Sequence, residues 1–177
     1  MRLFIAVDMS EQIKDRLSTI LSEMSKIGGV KVVEKENLHV TLLFLGEVPE
    51  FKVEQIKKEL SQIDFKSFEM KIKGLGAFPS KNNPRVVWAG IVGDEIRSLA
   101  EEVYAKMKKI GFKRDKDFEA HVTVARMKRR NDEVKKLIEK YEMEDFGSMK
   151  VENFKLKQSI LKREGPIYID LALFSLR

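Results

Sequence analysis

A tripeptide built on the only two histidines of the chain occurs twice, as His39-Val40-Thr41 and, 82 residues on, as His121-Val122-Thr123. Pro84 and Pro166 keep the same spacing. Upstream, Ser10–Gly28 and Gly93–Gly111 align at an offset of 83, matching Ile13 with Ile96, Ile20 with Val103, Met24 with Met107 and Ile27 with Ile110. These apolar positions follow helical spacing, and a closing Gly in each copy suits the left-handed backbone of a helix C-cap. One residue lost from an intervening loop reconciles the two offsets. A duplication restricts the fold more than any composition can, because each half must form the same supersecondary unit. We expect repeat units over residues 1–82 and 83–165, with a closing strand at 166–176, in one compact domain of two pseudo-symmetric lobes. No Pro/Gly/Ser-rich linker separates the halves.

Local patterning fills in the unit. Leu3–Val7 reads as a short apolar strand and Glu11–Lys26 as an amphipathic helix opened by Ser10. Leu38–Leu45 reads as a strand ended by Gly46, followed by a helix over Glu50–Ile63 with Pro49 at its entrance. Phe68–Leu75 and Arg85–Val92 read as strands. The second unit repeats this as helix Asp94–Ile110, strand Ala120–Met127, helix Asp132–Glu142, and strands Met149–Leu161 and Ile167–Leu176. Turns at Asn82-Asn83-Pro84 and Glu164-Gly165-Pro166 predict two hairpins. The class is therefore α+β.

In a strand, residues i and i+2 share a face. His39 and Thr41 thus share one face, with Leu38, Val40, Leu42 and Phe44 on the other. His121 and Thr123 are arranged alike, backed by Ala120, Val122 and Val124. A pseudo-twofold axis would set two such faces across a cleft, converging two groups that transfer protons near neutral pH and two short hydroxyls. A single His-Val-Thr fits an incidental polar face on a half-buried strand; two copies on the only histidines do not. A zinc site lacks ligands, because there is no Cys, no His-x-x-x-His and no well-spaced carboxylate. A Ser-His-Asp triad would leave one histidine idle. In-line cleavage of a phosphodiester needs a base for water and an acid for the leaving oxygen, and two histidines supply both. Thr41 and Thr123 would then hold the non-bridging phosphate oxygens. Such a pair gives a bell-shaped pH profile.

The paired His-x-Thr motifs, with Arg2-Leu3-Phe4-Ile5-Ala6-Val7, Asn37–Glu47, the Phe78-Pro79…Pro84–Gly90 segment and His121–Arg126, resemble the two-histidine phosphoesterases over nearly the whole chain. Together these segments look like the branch named for RNA 2′,3′-cyclic phosphodiesterase, also called 2′-5′ RNA ligase. The resemblance implies a bilobal α+β duplication, with two antiparallel sheets lining a central cleft and helices packed outside. It further implies metal-independent hydrolysis of RNA-terminal 2′,3′-cyclic phosphate to a 2′-phosphate, with reversible 2′-5′ joining of tRNA halves in some members. By the same resemblance His39 is the proton donor and His121 the acceptor.

Six further residues are candidates for binding substrate. Arg126 matches an arginine common in that branch, but strand alternation puts it on the wrong face unless a bulge intervenes. Phe44, at the equivalent place after His39, reads first as a strand-core residue and second as a base-stacking one. Phe78 and Arg85 flank a turn, where they could stack on a base or contact phosphate, or simply belong to a surface loop. Lys128 and Arg130 follow the second motif strand, and Lys113, Arg114 and Lys116 precede it; such loops would guide RNA ends electrostatically. Trp88 reads as a core residue.

The net charge of +6, from 34 Lys+Arg against 28 Asp+Glu, leans toward polyanions, although a Lys/Glu-rich chain without Cys also suits a thermophile. The absence of Cys excludes disulfides, thiolate metal sites and a Cys nucleophile. No GxxxxGK[ST] loop suggests ATP use. No apolar run reaches transmembrane length, and Met1–Val7 gives way at once to Asp8, unlike a leader. We expect a cytoplasmic monomer that uses no metal or cofactor, acts on RNA ends or tRNA halves and needs no protein partner. Two other readings compete: a noncatalytic RNA-end binding protein, and a two-histidine phosphodiesterase for a small cyclic nucleotide.

Overall fold

Nine strands and four helices make up the fold, and the computed structural model describes all residues 1–177. They run β1 (Arg2–Asp8), α1 (Glu11–Ser25), β2 (Val30–Val32), β3 (His39–Glu47), α2 (Val53–Ser61), β4 (Phe68–Ser80) and β5 (Asn83–Val92). Then follow α3 (Glu95–Lys109), β6 (His121–Met127), α4 (Asp132–Lys140), β7 (Asp145–Val151), β8 (Asn153–Lys162) and β9 (Gly165–Ser175). Ser10 caps α1 by accepting from the Ile13 N–H, and Asn131 caps α4 by accepting from the Glu133 N–H. The Pro49-led segment begins as a 3₁₀ turn, Glu50–Lys52, before α2.

Two antiparallel sheets form, one ordered β3-β1-β8-β9 and the other β2-β6-β5-β4-β7. Neither draws on one half of the chain alone: β8 completes the sheet of β1 and β3, and β4 completes the sheet of β5 and β6. The helices cross over as well, since α1 lies against β2, β6 and β7 while α3 lies against β3. Both predicted hairpins are present, β4–β5 and β8–β9. The apolar sides of both sheets and the helices merge into one cluster of 42 buried residues, so the two lobes share a core. No helix is long and apolar enough to cross a membrane.

Two sequence expectations change. Met149–Leu161 is two strands in different sheets, broken at Glu152. The burial phase shows why: Met149 and Val151 are buried, but so are Phe154 and Leu156, which have the opposite parity. Gly28 is not the left-handed residue after α1; Gly29 is, with φ 83°, whereas Gly111 does take φ 97° after α3. The first helix needs the extra residue because its exit leads into the short strand β2, which has no counterpart in the second half. A Cβ on Gly29 would also meet the Arg129 side chain.

Leu156, fully buried in β8 between β1 and β9, ties the two halves together. Leu156→Ala should cost about 2–5 kcal/mol of stability in urea unfolding. A loss within about 0.5 kcal/mol would mean that the site is not part of the shared core.

Candidate active site

Each histidine strand carries the same irregularity. In β3, Ala6 of β1 faces Thr41 and Ile5 faces Leu43, so Leu42 is an extra residue. In β6, Trp88 of β5 faces Thr123 and Val87 faces Ala125, so Val124 is extra. Such a bulge resets the alternation. Leu42 and Leu43 are consequently both buried, as are Val124 and Ala125. The residue that follows returns to the histidine face: Phe44 in one strand and Arg126 in the other. The parity objection to Arg126 is thereby removed. The strand-core reading of Phe44 is overturned, because its side chain is 69% exposed on the face of His39 and Thr41.

β3 and β6 run beside each other where the two sheets meet. His39 Nδ1 donates to the Asn37 carbonyl at 2.7 Å, and His121 Nδ1 donates to the Glu119 carbonyl at 2.7 Å. A carbonyl can only accept, so the neutral rings carry their proton on Nδ1 and leave the Nε2 lone pair free. His39 Nε2 lies 2.9 Å from Thr41 Oγ1, accepting from the hydroxyl when the ring is neutral. Burial, foremost, holds both imidazoles below the ordinary value of 6.5, partly offset by the two carbonyls. The rings also feel each other, since the charge of His121 lowers His39 further.

The surroundings of the two rings differ. His39 has Phe4 at 5.3 Å and Tyr168 edge-on at 5.4 Å, and Phe4 also meets Phe44 at 6.3 Å. His121 has Phe78 edge-on at 5.1 Å, and Phe78 in turn lies 5.4 Å from Trp88. Trp88 is half-buried on the His121 face rather than in the core, lying over Gly76 where any Cβ would strike the indole. Beside His39, Lys155 and Lys157 of β8 each bond both Asp8 and Asp170 at 2.9 Å. Burial pushes both carboxyls up, but the lysine bonds outweigh it and hold them below their ordinary value.

Of the candidates named from sequence, His39, Thr41, Phe44, His121, Thr123, Arg126 and Phe78 share the cleft-facing surfaces. Arg85 is exposed near the start of β5, unpaired at a register shift where Phe78 faces Val86 and Pro79 faces Pro84, and it makes no contact with either histidine's strand in the pairing. Lys128 is exposed just past β6, and Arg130 is paired with Asp132 at 3.3 Å. Arg114 is engaged by Glu101 and Asp117 and covers Tyr104, while Lys116 is near enough to lower His121. Sequence reasoning missed Phe4, Tyr168 and the Asp8, Lys155, Lys157, Asp170 group. The spacing Lys155-x-Lys157 and Tyr168-x-Asp170 in alternating strands was the available signal. No group of three or more His, Cys, Asp or Glu side chains is placed to hold a metal ion.

Duplicated strands that turn paired His and Thr side chains into one cleft define a two-histidine phosphoesterase. The "LigT like Phosphoesterase" family matches residues 7–88 and again 91–168, one stretch in each half, and the chain belongs to this family. It is 53% identical over 175 residues to an RNA 2′,3′-cyclic phosphodiesterase of Archaeoglobus fulgidus, covering 98% of this chain and 99% of that one. It is 38% identical over 170 residues to the protein of the same name from Methanocaldococcus jannaschii, covering 95% and 96%. Among solved structures it resembles TT0787 of Thermus thermophilus, with 33% identity and a TM-score of 0.86 over 100% of this chain and 98% of that one. Apo LigT of E. coli shares the fold, with a TM-score of 0.80 and 24% identity over 99% and 96%.

The depressed imidazoles make stability depend on pH. Unfolded histidine takes up a proton near 6.5, whereas the folded rings resist it, so their contribution is complete above 6.5 and is lost as pH falls toward the folded values. The urea midpoint should therefore begin to drop on acidification below pH 6.5, before Asp8 and Asp170 take up protons. His39→Asn and His121→Asn should each flatten the drop; an unchanged slope in both would contradict the burial of the rings.

Proposed function

We propose that the protein is a metal-independent RNA 2′,3′-cyclic phosphodiesterase that opens a terminal cyclic phosphate to a 2′-phosphate. The observation that carries this reading is the pair of 2.7 Å bonds from His39 and His121 Nδ1 to backbone carbonyls. They leave one Nε2 from each half to move a proton in a shared cleft. The names of the relatives at 53% and 38% identity point the same way.

His121 Nε2 takes a proton from water as the water oxygen attacks phosphorus. The P–O3′ bond breaks in line, and protonated His39 Nε2 delivers its proton to the departing 3′ oxygen. The products are a 2′-phosphate and a 3′-hydroxyl, with the two histidines left in exchanged protonation states. Thr41 and Thr123 hydroxyls bond the non-bridging oxygens, and Arg126 clamps the phosphate. Phe44 and Phe78 offer ring faces to bases, and Lys128 and Arg130 draw in the strand. If the 5′-hydroxyl of a second RNA end replaces water, the same displacement leaves a 2′-5′ linkage, as for tRNA halves. On this reading the enzyme is a cytoplasmic monomer.

An RNA oligonucleotide ending in 2′,3′-cyclic phosphate, incubated with EDTA-treated protein, should yield a 2′-phosphate with a bell-shaped pH dependence. His39→Ala and His121→Ala should each lose about 10²–10⁴-fold in kcat. Loss of turnover with EDTA, or full activity in either variant, would refute the mechanism. Neutralising Lys128 and Arg130 together should raise KM for oligonucleotides more than for a mononucleoside cyclic phosphate, and weaken its salt dependence. Equal effects on both substrates would remove these residues from RNA binding.

A further inference from the structure

The two halves of the cleft match position by position until they reach the strands that cross over. Ala6 faces Thr41 as Trp88 faces Thr123, and Phe4 faces Phe44 as Val86 faces Arg126. On the far side of these central strands, Ala6 faces Lys155 and Phe4 faces Lys157. The corresponding partners of Trp88 and Val86 are Gly76 and Phe78. Asp8, opposite His39, corresponds to Gly90, opposite His121. Gly90 has no room for a side chain, because a Cβ would lie 2.6 Å from the Lys73 carbonyl oxygen. Beside His39 the site therefore carries a square of two lysines and two aspartates. Beside His121 the positions matching Lys155, Lys157 and Asp8 are Gly76, Phe78 and Gly90.

We infer that Lys157, clamped between Asp8 and Asp170, is a positioning residue that sets the acidity of His39 and so distinguishes the two histidines of a duplicated site. Its ammonium bonds Asp8 Oδ1 and Asp170 Oδ1, both at 2.9 Å, and its side chain is only 8% exposed. A cation held this way neither swings toward solvent nor is screened like a surface lysine. It makes the imidazolium of His39 costlier, so the protonated ring gives up its proton more readily to a leaving oxygen. Its effect on His39 exceeds the opposing effect of Asp8. The other charged or titratable groups around His39 are Lys155 of β8, Tyr168 and Asp170 of β9, and His121 and Arg126 of β6. Lys157 alone among these cations is both held by two carboxylates and set opposite Phe4, whose ring contacts His39; Lys155, which also bonds both aspartates, lies opposite Ala6.

The inference rests on His39 acting as the acid, and the test separates the two claims. In the full-length protein, His39 and His121 are titrated by NMR, and kcat is followed against pH on RNA ending in 2′,3′-cyclic phosphate. Lys157→Met should move the His39 titration and the alkaline limb of the rate to higher pH while His121 stays in place. Lys157→Arg, which keeps the charge, should leave His39 near its original position. Asp8→Asn should move His39 to lower pH, and Lys157→Gln serves as the neutral variant if Lys157→Met does not fold. A His39 titration unmoved when Lys157 is neutralised, or histidines that shift together, would overturn the role of Lys157 and leave only a structural ion cluster. If His39 moves but the alkaline limb does not, the role of Lys157 in setting its ionisation holds and the assignment of His39 as the acid falls.

Discussion

Each histidine strand has to bury one face in the shared core while keeping a polar face open to the cleft, and one extra residue reconciles the two demands. Leu42 and Val124 are those residues. Each bulge lets two consecutive apolar side chains enter the core and then turns the next residue outward. Without it, Phe44 and Arg126 would point into the helices. With it, a strand of alternating type presents His, Thr and a third side chain along one face. The third position is where the halves first part: a ring beside His39 and a guanidinium beside His121.

The backbone then decides what the histidines can do. Residues two positions upstream, Asn37 and Glu119, offer carbonyls that fix the Nδ1 proton and aim Nε2 at the cleft. Both rings can therefore give or take a proton at the same kind of atom, and burial keeps both from being permanently charged. Duplication alone would leave two interchangeable groups. The exchange of β4 and β8 between the sheets breaks that equivalence, because it brings Lys155 and Lys157 to one side and Gly76 and Phe78 to the other.

Much of this was legible in the sequence, because local pattern and duplication agree. The two His-Val-Thr copies, the paired helices and the two hairpin turns locate the strands and the histidine pair from sequence alone. What escaped has physical causes. The break at Glu152 lies within a continuous run of strand-forming residues and shows only as a change in burial parity. A bulge leaves no local signature in Leu42-Leu43 or Val124-Ala125, which read equally well as ordinary apolar pairs, so Phe44 was placed inward. Phe4, Tyr168 and Lys157 reach the site only through long-range pairing, from strands more than 30 residues away from either histidine in sequence. Arg85 sits at an irregularity of the same kind, left unpaired between Pro84 and Val86 where β5 meets β4.

The central claim is that the two halves act on one phosphate. A crystal structure of the protein with a non-hydrolysable analogue of RNA-terminal 2′,3′-cyclic phosphate tests it most directly. The account predicts His39 Nε2 and His121 Nε2 on opposite sides of a single phosphorus, with the Thr41 and Thr123 hydroxyls on its non-bridging oxygens. A phosphate held by one histidine alone, or bound away from both, would contradict it.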